Sequence, residues 1–184
     1  MDYIHLSDNA ARQVIDSTTL FNEVGRVESL SRQYAGGMYW KRQGEYEYLV
    51  KTAPDNRQRR IGPRSESTEK IHLEFVTRKA QLESRLKPLR AALIEAERMN
   101  KALKAGRTPA TVVSILQALR QARLDQHFVV VGTHALYAYE AAAGVRIVQG
   151  ALATQDVDLL WDARKRVQFL TDLERVDSSV LRIL

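Results

Sequence analysis

Asp156 and Asp158 flank Val157 immediately before the apolar run Leu159-Leu160-Trp161. Side chains alternate along a strand, so the two carboxylates would share one face while Val157 and Leu159 take the other. Like charges held side by side repel, and a divalent cation between them removes the repulsion. A solvated strand end carrying two acidic residues is the alternative. A second feature lies upstream, where "HFVVVG", His127 to Gly132, is a β-branched run closed by glycine, and "THALYAYEAAAG" has the composition of a helix ending near Gly144. The pattern predicts strand, tight turn and helix, with Thr133 as the N-cap. Gly132 would let a ligand approach backbone amides that carry the helix's partial positive charge, which makes the turn a seat for phosphate. The alternative is an ordinary strand-to-helix turn that needs a small residue.

The two features complement each other chemically. Nucleoside triphosphates travel as magnesium complexes, so their phosphates need backbone donors and their metal needs carboxylates. The rest of the composition narrows the choice of ligands. The 184-residue chain contains no cysteine, which excludes disulfides, thiolate zinc sites and cysteine nucleophiles, and any metal must be held by oxygen or imidazole. His5, His72, His127 and His134 show no paired metal spacing, and Ser178-Ser179 lacks a nucleophile's context. A formal net charge of +6 favours a polyanionic partner. No apolar run is long enough to span a bilayer, and "MDYIHLSDNAARQ" lacks the basic start and apolar centre of a signal peptide. The expectation is a cytoplasmic chain with no membrane partner.

The elements that must position these residues follow from periodicity. Ser7 or Asp8 can cap a first helix with apolar residues Val14, Phe21, Val24 and Tyr34, closed by Gly36 and Gly37. Aromatic and β-branched runs between Met38 and Ser65, broken at Gly44 and at Ala53-Pro54-Asp55-Asn56, predict a small antiparallel meander. Its seven basic residues against three acidic ones, 7 − 3 = +4, hold most of the chain's excess charge. Trp40, Tyr39, Tyr46 and Tyr48 could form the meander's core or stack nucleic-acid bases. Ile71, Phe75, Leu82, Leu86, Leu89, Leu93 and Leu103 trace one stripe of a long helix, with a kink or break expected at Pro88 and closure at Gly106. Thr108-Pro109 then reads as an N-cap and first position of another helix. The fold class is α+β, with a helical and β-hairpin module over residues 1–107 and a second, α/β core over 108–184.

The turn "VVVGTHALYAYE" followed by "TQDVDLL" resembles the signature of the nucleotidyltransferase superfamily with the DNA polymerase β fold. The segments "GGMYWKR", "EYEYLVK", "RRIGPRS" and "GTHALYAYEAAAGVR" are similar to one bacterial family of that superfamily, in which a helical and hairpin module precedes the catalytic fold. A more distant similarity is to the abortive-infection nucleotidyltransferase toxins. The resemblance implies that Gly132 and Thr133 bind the triphosphate and that Asp156 and Asp158 are catalytic ligands of Mg²⁺ or Mn²⁺. Thr133 stands where serine is commoner. It further implies transfer of a nucleoside monophosphate to an acceptor, RNA or protein among the possibilities, with release of pyrophosphate.

The superfamily normally brings a third carboxylate from a later strand. Asp162 is too near the pair, and Asp172, Glu174 and Asp177 lie on or beside an expected helix, "ARKRVQFLTDLERV". The expectation is a fragment, a truncated product or a divergent member, and the alternative function is a catalytically incomplete module that binds RNA or a protein partner. In the basic meander, strand alternation places Arg57 and Arg59 on one face and Arg60 on the other. Arg57 and Arg59 are the candidates for receiving a nucleic-acid acceptor, against a solvated edge that discourages strand pairing.

Overall fold

The structure, a computed structural model, describes residues 2–148 and 157–165. Among them are four α-helices and seven strands in antiparallel sheets, an α+β fold as the patterning predicts. The chain divides into two compact units, Ile15–Met99 and, discontinuous in sequence, Met1–Val14 with Asn100–Leu184.

Helix α1, Asp8–Gln33, begins where Ser7 Oγ accepts the Ala10 amide at 3.3 Å, one of the orphan donors of a first turn. The chain then turns at Gly36, whose φ of +82° and contact with the Thr52 carbonyl leave no room for a side chain. Strands β2 (Gly37–Gln43), β3 (Tyr46–Thr52) and β4 (Gln58–Pro63) form the expected meander in the order β2-β3-β4. The β3–β4 register shifts by one residue between Leu49 and Val50, a bulge at Ile61. Helix α2, Glu66–Ala102, opens on a reciprocal cap: Ser65 Oγ accepts the Thr68 amide at 3.4 Å while Thr68 Oγ1 accepts the Ser65 amide at 2.9 Å.

Pro88 does not break α2, which runs continuously past it. A proline within a helix removes one backbone bond and costs about 3 kcal/mol, but here both flanks are clamped. Leu82 and Leu86 before it and Leu89 and Leu93 after it join Val24 and Val27 of α1 in one apolar cluster. Arg85 and Arg90 reach Glu23 and Glu28 of α1 at 2.6 and 3.0 Å on either side of the same point. Two members of the predicted stripes are corrected, since Phe21 and Ile71 are 48% and 43% exposed and the fully buried position of α1 is Val27.

Gly106 does not close α2. The helix ends at Ala102 and the chain turns at Lys104, with φ of +50°; the Lys104 amide donates to Lys101 O at 3.2 Å and the Ala105 amide to Asn100 O at 2.8 Å. This is a Schellman end with lysine where glycine is usual. Helix α3, Ala110–Gln121, ends the same way at Arg123 (φ +61°), with Leu124 and Leu119, both about 1% exposed, as its apolar pair. At its start Pro109 is extended (ψ 144°) and is itself the N-cap, so the predicted Thr108 cap is displaced by one residue. A left-handed φ strains any residue with a Cβ, so Arg123→Gly is expected to stabilise the protein by about 0.5–1 kcal/mol, read as a higher urea midpoint with unchanged slope. A lower midpoint would mean that the arginine side chain, and not its backbone, matters there.

After α3, a 3-10 turn at Asp125–His127 leads into β5 (Phe128–Val130), then α4 (Gly132–Ala143), which Gly144 ends at φ +65° as the sequence predicts. Strand β6, Val145–Ile147, pairs antiparallel with β1, Tyr3–His5, and β7, Leu159–Trp161, pairs antiparallel with β5.

Candidate functional site

Strand β5 carries the chain to the turn and β7 carries Asp158 to the same place. Register fixes this: Phe128 faces Trp161, Val129 faces Leu160 and Val130 faces Leu159. The ladder continues one step further, where the Val131 amide donates to Asp158 O at 3.0 Å. Asp158 is thereby held beside Gly132, so closely that a Cβ on the glycine would overlap the Asp158 carboxylate, with Asp158 Cγ at 3.3 Å and Cβ at 3.4 Å. Two positions 26 residues apart, singled out for complementary chemistry, are in contact.

The turn differs from expectation in its cap. Thr133 is not the N-cap; Val131 is, in extended conformation, and Gly132 opens the helix at φ +66°. The glycine backbone makes the bend, so Thr133 falls one residue inside the helix, half-buried, and no side-chain cap bonds the helix start among the described residues. Uncapped first-turn amides are the groups that water or an anion satisfies. Asp158 is exposed, and its carboxylate meets no cationic side chain among the described residues. It precedes β7 and does not lie within it, so the strand is shorter than the sequence suggests. Asp156 lies outside the described residues, as do Asp172, Glu174, Asp177 and the expected helix around them.

Asp162 is engaged elsewhere in this arrangement. Arg164 holds its carboxylate with Nε at 2.8 Å and Nη2 at 3.0 Å, while its amide donates to His127 O at 2.9 Å. No group of three or more His, Asp or Glu side chains close enough to share a metal occurs among the described residues. The donor chemistry of Asp158, an exposed carboxylate oxygen beside a helix start, nevertheless fits a hard divalent cation that keeps several waters.

Two buried groups on α4 were not foreseen. Glu140, 4% exposed, accepts from Arg107 Nε at 2.9 Å and from Arg107 Nη2, and its Oε1 also accepts the Ile147 amide at 2.7 Å. Arg107 Nη2 in turn donates to Ile147 O at 2.9 Å. These bonds tie the loop before α3, the last turns of α4 and β6 together, so the helix whose first residue is Gly132 is anchored at its far end. Arg107's bonding holds the Glu140 carboxyl below the usual carboxylate range, against the opposing effect of burial. The partners are 33 residues apart, and nothing local in the sequence announces them. His134, 5% exposed in the first turn of α4, packs against Tyr137 at 5.8 Å between ring centroids and finds no hydrogen-bond partner among the described residues.

Arg57 and Arg59 belong to the other unit. Arg57 precedes β4 and bonds Asp55 through Nε at 2.5 Å; Arg59 is exposed opposite Lys51, and Arg60 is opposite Val50 on the other sheet face. Arg59 and Arg60 thus fall on opposite faces as alternation predicts, while Arg57 lies before the strand and takes no place in its register.

Residues 110–184 match the sequence model of a family described as Nucleotidyltransferase, a span that contains the turn, α4, Asp158 and β7. No curated protein and no solved structure matches the chain. No helix among the described residues is long and apolar enough to cross a membrane.

Proposed function

We propose that the unit containing residues 110–184 transfers a nucleoside monophosphate from a nucleoside triphosphate to an acceptor hydroxyl. The observation that carries this is the contact between the Gly132 backbone and the Asp158 carboxylate at the uncapped start of α4. The match of the same residues to a nucleotidyltransferase family supports it. In the transfer, the acceptor oxygen forms a bond to the α-phosphorus, the bond between the α- and β-phosphates breaks, and pyrophosphate leaves while the hydroxyl proton passes to solvent.

Gly132, lacking a side chain, lets the phosphates come close to the first-turn amides, and Thr133 offers a hydroxyl to the same group. Asp158, with Asp156 as the second donor, would hold Mg²⁺ or Mn²⁺. Bound there, the cation would supply charge neutralisation for the triphosphate. The protein's own contribution is positioning: the β5–β7 ladder fixes Asp158 relative to the turn, so phosphate donors and carboxylate are set before substrate arrives.

A ligand that binds only the folded state stabilises it by about 2.7 kcal/mol at a hundredfold excess over Kd. Addition of a nucleoside triphosphate with Mg²⁺ or Mn²⁺ is therefore expected to raise the melting temperature by several degrees. The Asp156→Asn, Asp158→Asn protein should lose that shift and the release of pyrophosphate that accompanies transfer. An equal shift in the two proteins would remove the site from these aspartates.

A further inference from the structure

The meander presents two different faces. Met38, Trp40, Arg42, Glu47, Leu49, Lys51 and Arg59 alternate onto one, and its centre is covered: Leu49 is fully buried, Trp40 lies 5.7 Å from His72 between ring centroids, and the Lys51 ammonium lies 5.5 Å from the Phe75 ring centre, both rings belonging to α2. The opposite face carries Tyr39, Lys41 and Gln43 from β2, Tyr46, Tyr48, Val50 and Thr52 from β3, and Gln58 and Arg60 from β4. No carboxylate occupies any strand position of this second face. Tyr39 and Tyr46 are 38% and 66% exposed, so they are not core aromatics. Between the strands is a hollow of about 210 Å³, lined by Lys41, Gln43, Tyr48, Val50, Gln58 and Arg60.

We infer that this open sheet face binds single-stranded nucleic acid. Unpaired bases stack on exposed aromatic rings and on guanidinium planes, and the intervening phosphates seek cations. Both kinds of group are present in register. Tyr46 and Tyr48 are neighbours on one strand, 6.5 Å between ring centres, and the Arg60 guanidinium lies over the Tyr48 ring at 3.1 Å from its centroid. Lys41 stands directly across from Tyr48 and Tyr39 across from Val50. Arg60 thus offers its outer plane as a further stacking surface above Tyr48. A face without negative charge, in the unit with most of the chain's excess positive charge, complements a polyanion and not an acidic-basic protein surface. Duplexes do not fit the same groups, because their bases are already stacked. This inference concerns binding alone and does not depend on nucleotidyl transfer.

The test is fluorescence anisotropy with labelled oligouridylate, the matching oligodeoxythymidylate and an RNA duplex, each at low and moderate salt. Binding of the single strands in preference to the duplex, weakening with salt, is expected. Tyr46→Ala and Tyr39→Ala should each weaken it about tenfold, since a base stack is worth roughly 1–3 kcal/mol, and Tyr46→Phe should retain most of the affinity. Lys41→Ala should lower the logarithmic salt slope by about 0.7, the value for one phosphate of a single strand. Arg90→Ala, on α2, should change nothing. Tighter binding of either RNA or DNA supports the inference and reports whether the ribose hydroxyl is read. Absence of single-strand binding at low salt overturns it, as does equal affinity of the tyrosine variants in melts that show them folded. Loss of binding in Arg57→Ala, Arg59→Ala with no loss in the tyrosine variants would also overturn it, moving the contact to the edge of β4.

Discussion

Arg107→Ala is expected to destabilise the protein by about 3 kcal/mol at neutral pH, well beyond the effect of removing any exposed ion pair. The size follows from asymmetry of exposure. Arg107's side chain is 37% exposed and Glu140's 5%, so deleting the arginine leaves a buried carboxylate with the Ile147 amide and the weaker field of Arg146 to answer it. Deleting the carboxylate instead leaves a guanidinium that water can reach, and Glu140→Gln, which can still accept the Ile147 amide, should cost about half as much. The pH dependence provides an independent check. Glu140's carboxyl is lowered in the folded protein, so its contribution is fully present above the unfolded carboxylate value, about 4.3, and is lost as pH falls through the lower folded value. In Arg107→Ala burial acts without that counterweight and favours the protonated acid, so the gap between variant and native protein should narrow toward about pH 4. Urea unfolding near pH 7 and about pH 4 measures both terms. A loss no larger than that of Arg90→Ala, or a gap independent of pH, would remove the pair from its role as anchor of α4.

Gly132→Ala should be damaging in two separable ways. The backbone at φ +66° disfavours any Cβ, and the Cβ in question would overlap the Asp158 carboxylate. Together these should cost about 1–3 kcal/mol, and nucleotide affinity should fall further because Asp158 must move off the turn. Gly132→Val should be worse on both counts. Joining Gly132→Ala to Asp158→Ala removes the overlap and leaves only the backbone strain, so the two changes together should destabilise less than the sum of the singles by about 1 kcal/mol. Additivity in that cycle would mean that the turn and the aspartate do not touch in solution.

The parts of this molecule that a sequence can announce are those decided within one turn or one hairpin. Ser7 before α1, the alternating meander, the β-branched run into Gly132 and the left-handed Gly144 are local, and each lies where its pattern places it. The pairing of Gly132's chemistry with Asp158's was legible as composition, but their contact depends on a β5–β7 ladder of three residue pairs, too short to read as alternation. Sequence-distant packing decided the rest. Pro88 is tolerated because α1 clamps both its sides, and Lys104 and Arg123 take glycine's conformation because Ala105 and Leu124 behind them are buried. Cap positions moved by one or two residues at Pro109 and Val131 where extended backbone, and not a hydroxyl, begins the helix. The Arg107–Glu140 pair left no trace at all, since one arginine in a loop and one glutamate in a helix look like solvated charges.

The pairing of β1 with β6 also sets an order of events during synthesis. Tyr3–His5 is made about 140 residues before its partner Val145–Ile147. The unit Ile15–Met99 has all its own strands and its apolar cluster in hand before that. The first strand must wait, unpaired, with Tyr3 and Ile4 more than half exposed even once paired. At five to twenty residues per second that delay lasts on the order of ten seconds, during which the N-terminal edge is open to strays. The second unit is therefore the later-maturing one, and its turn at Gly132 is completed only after β7 has been made.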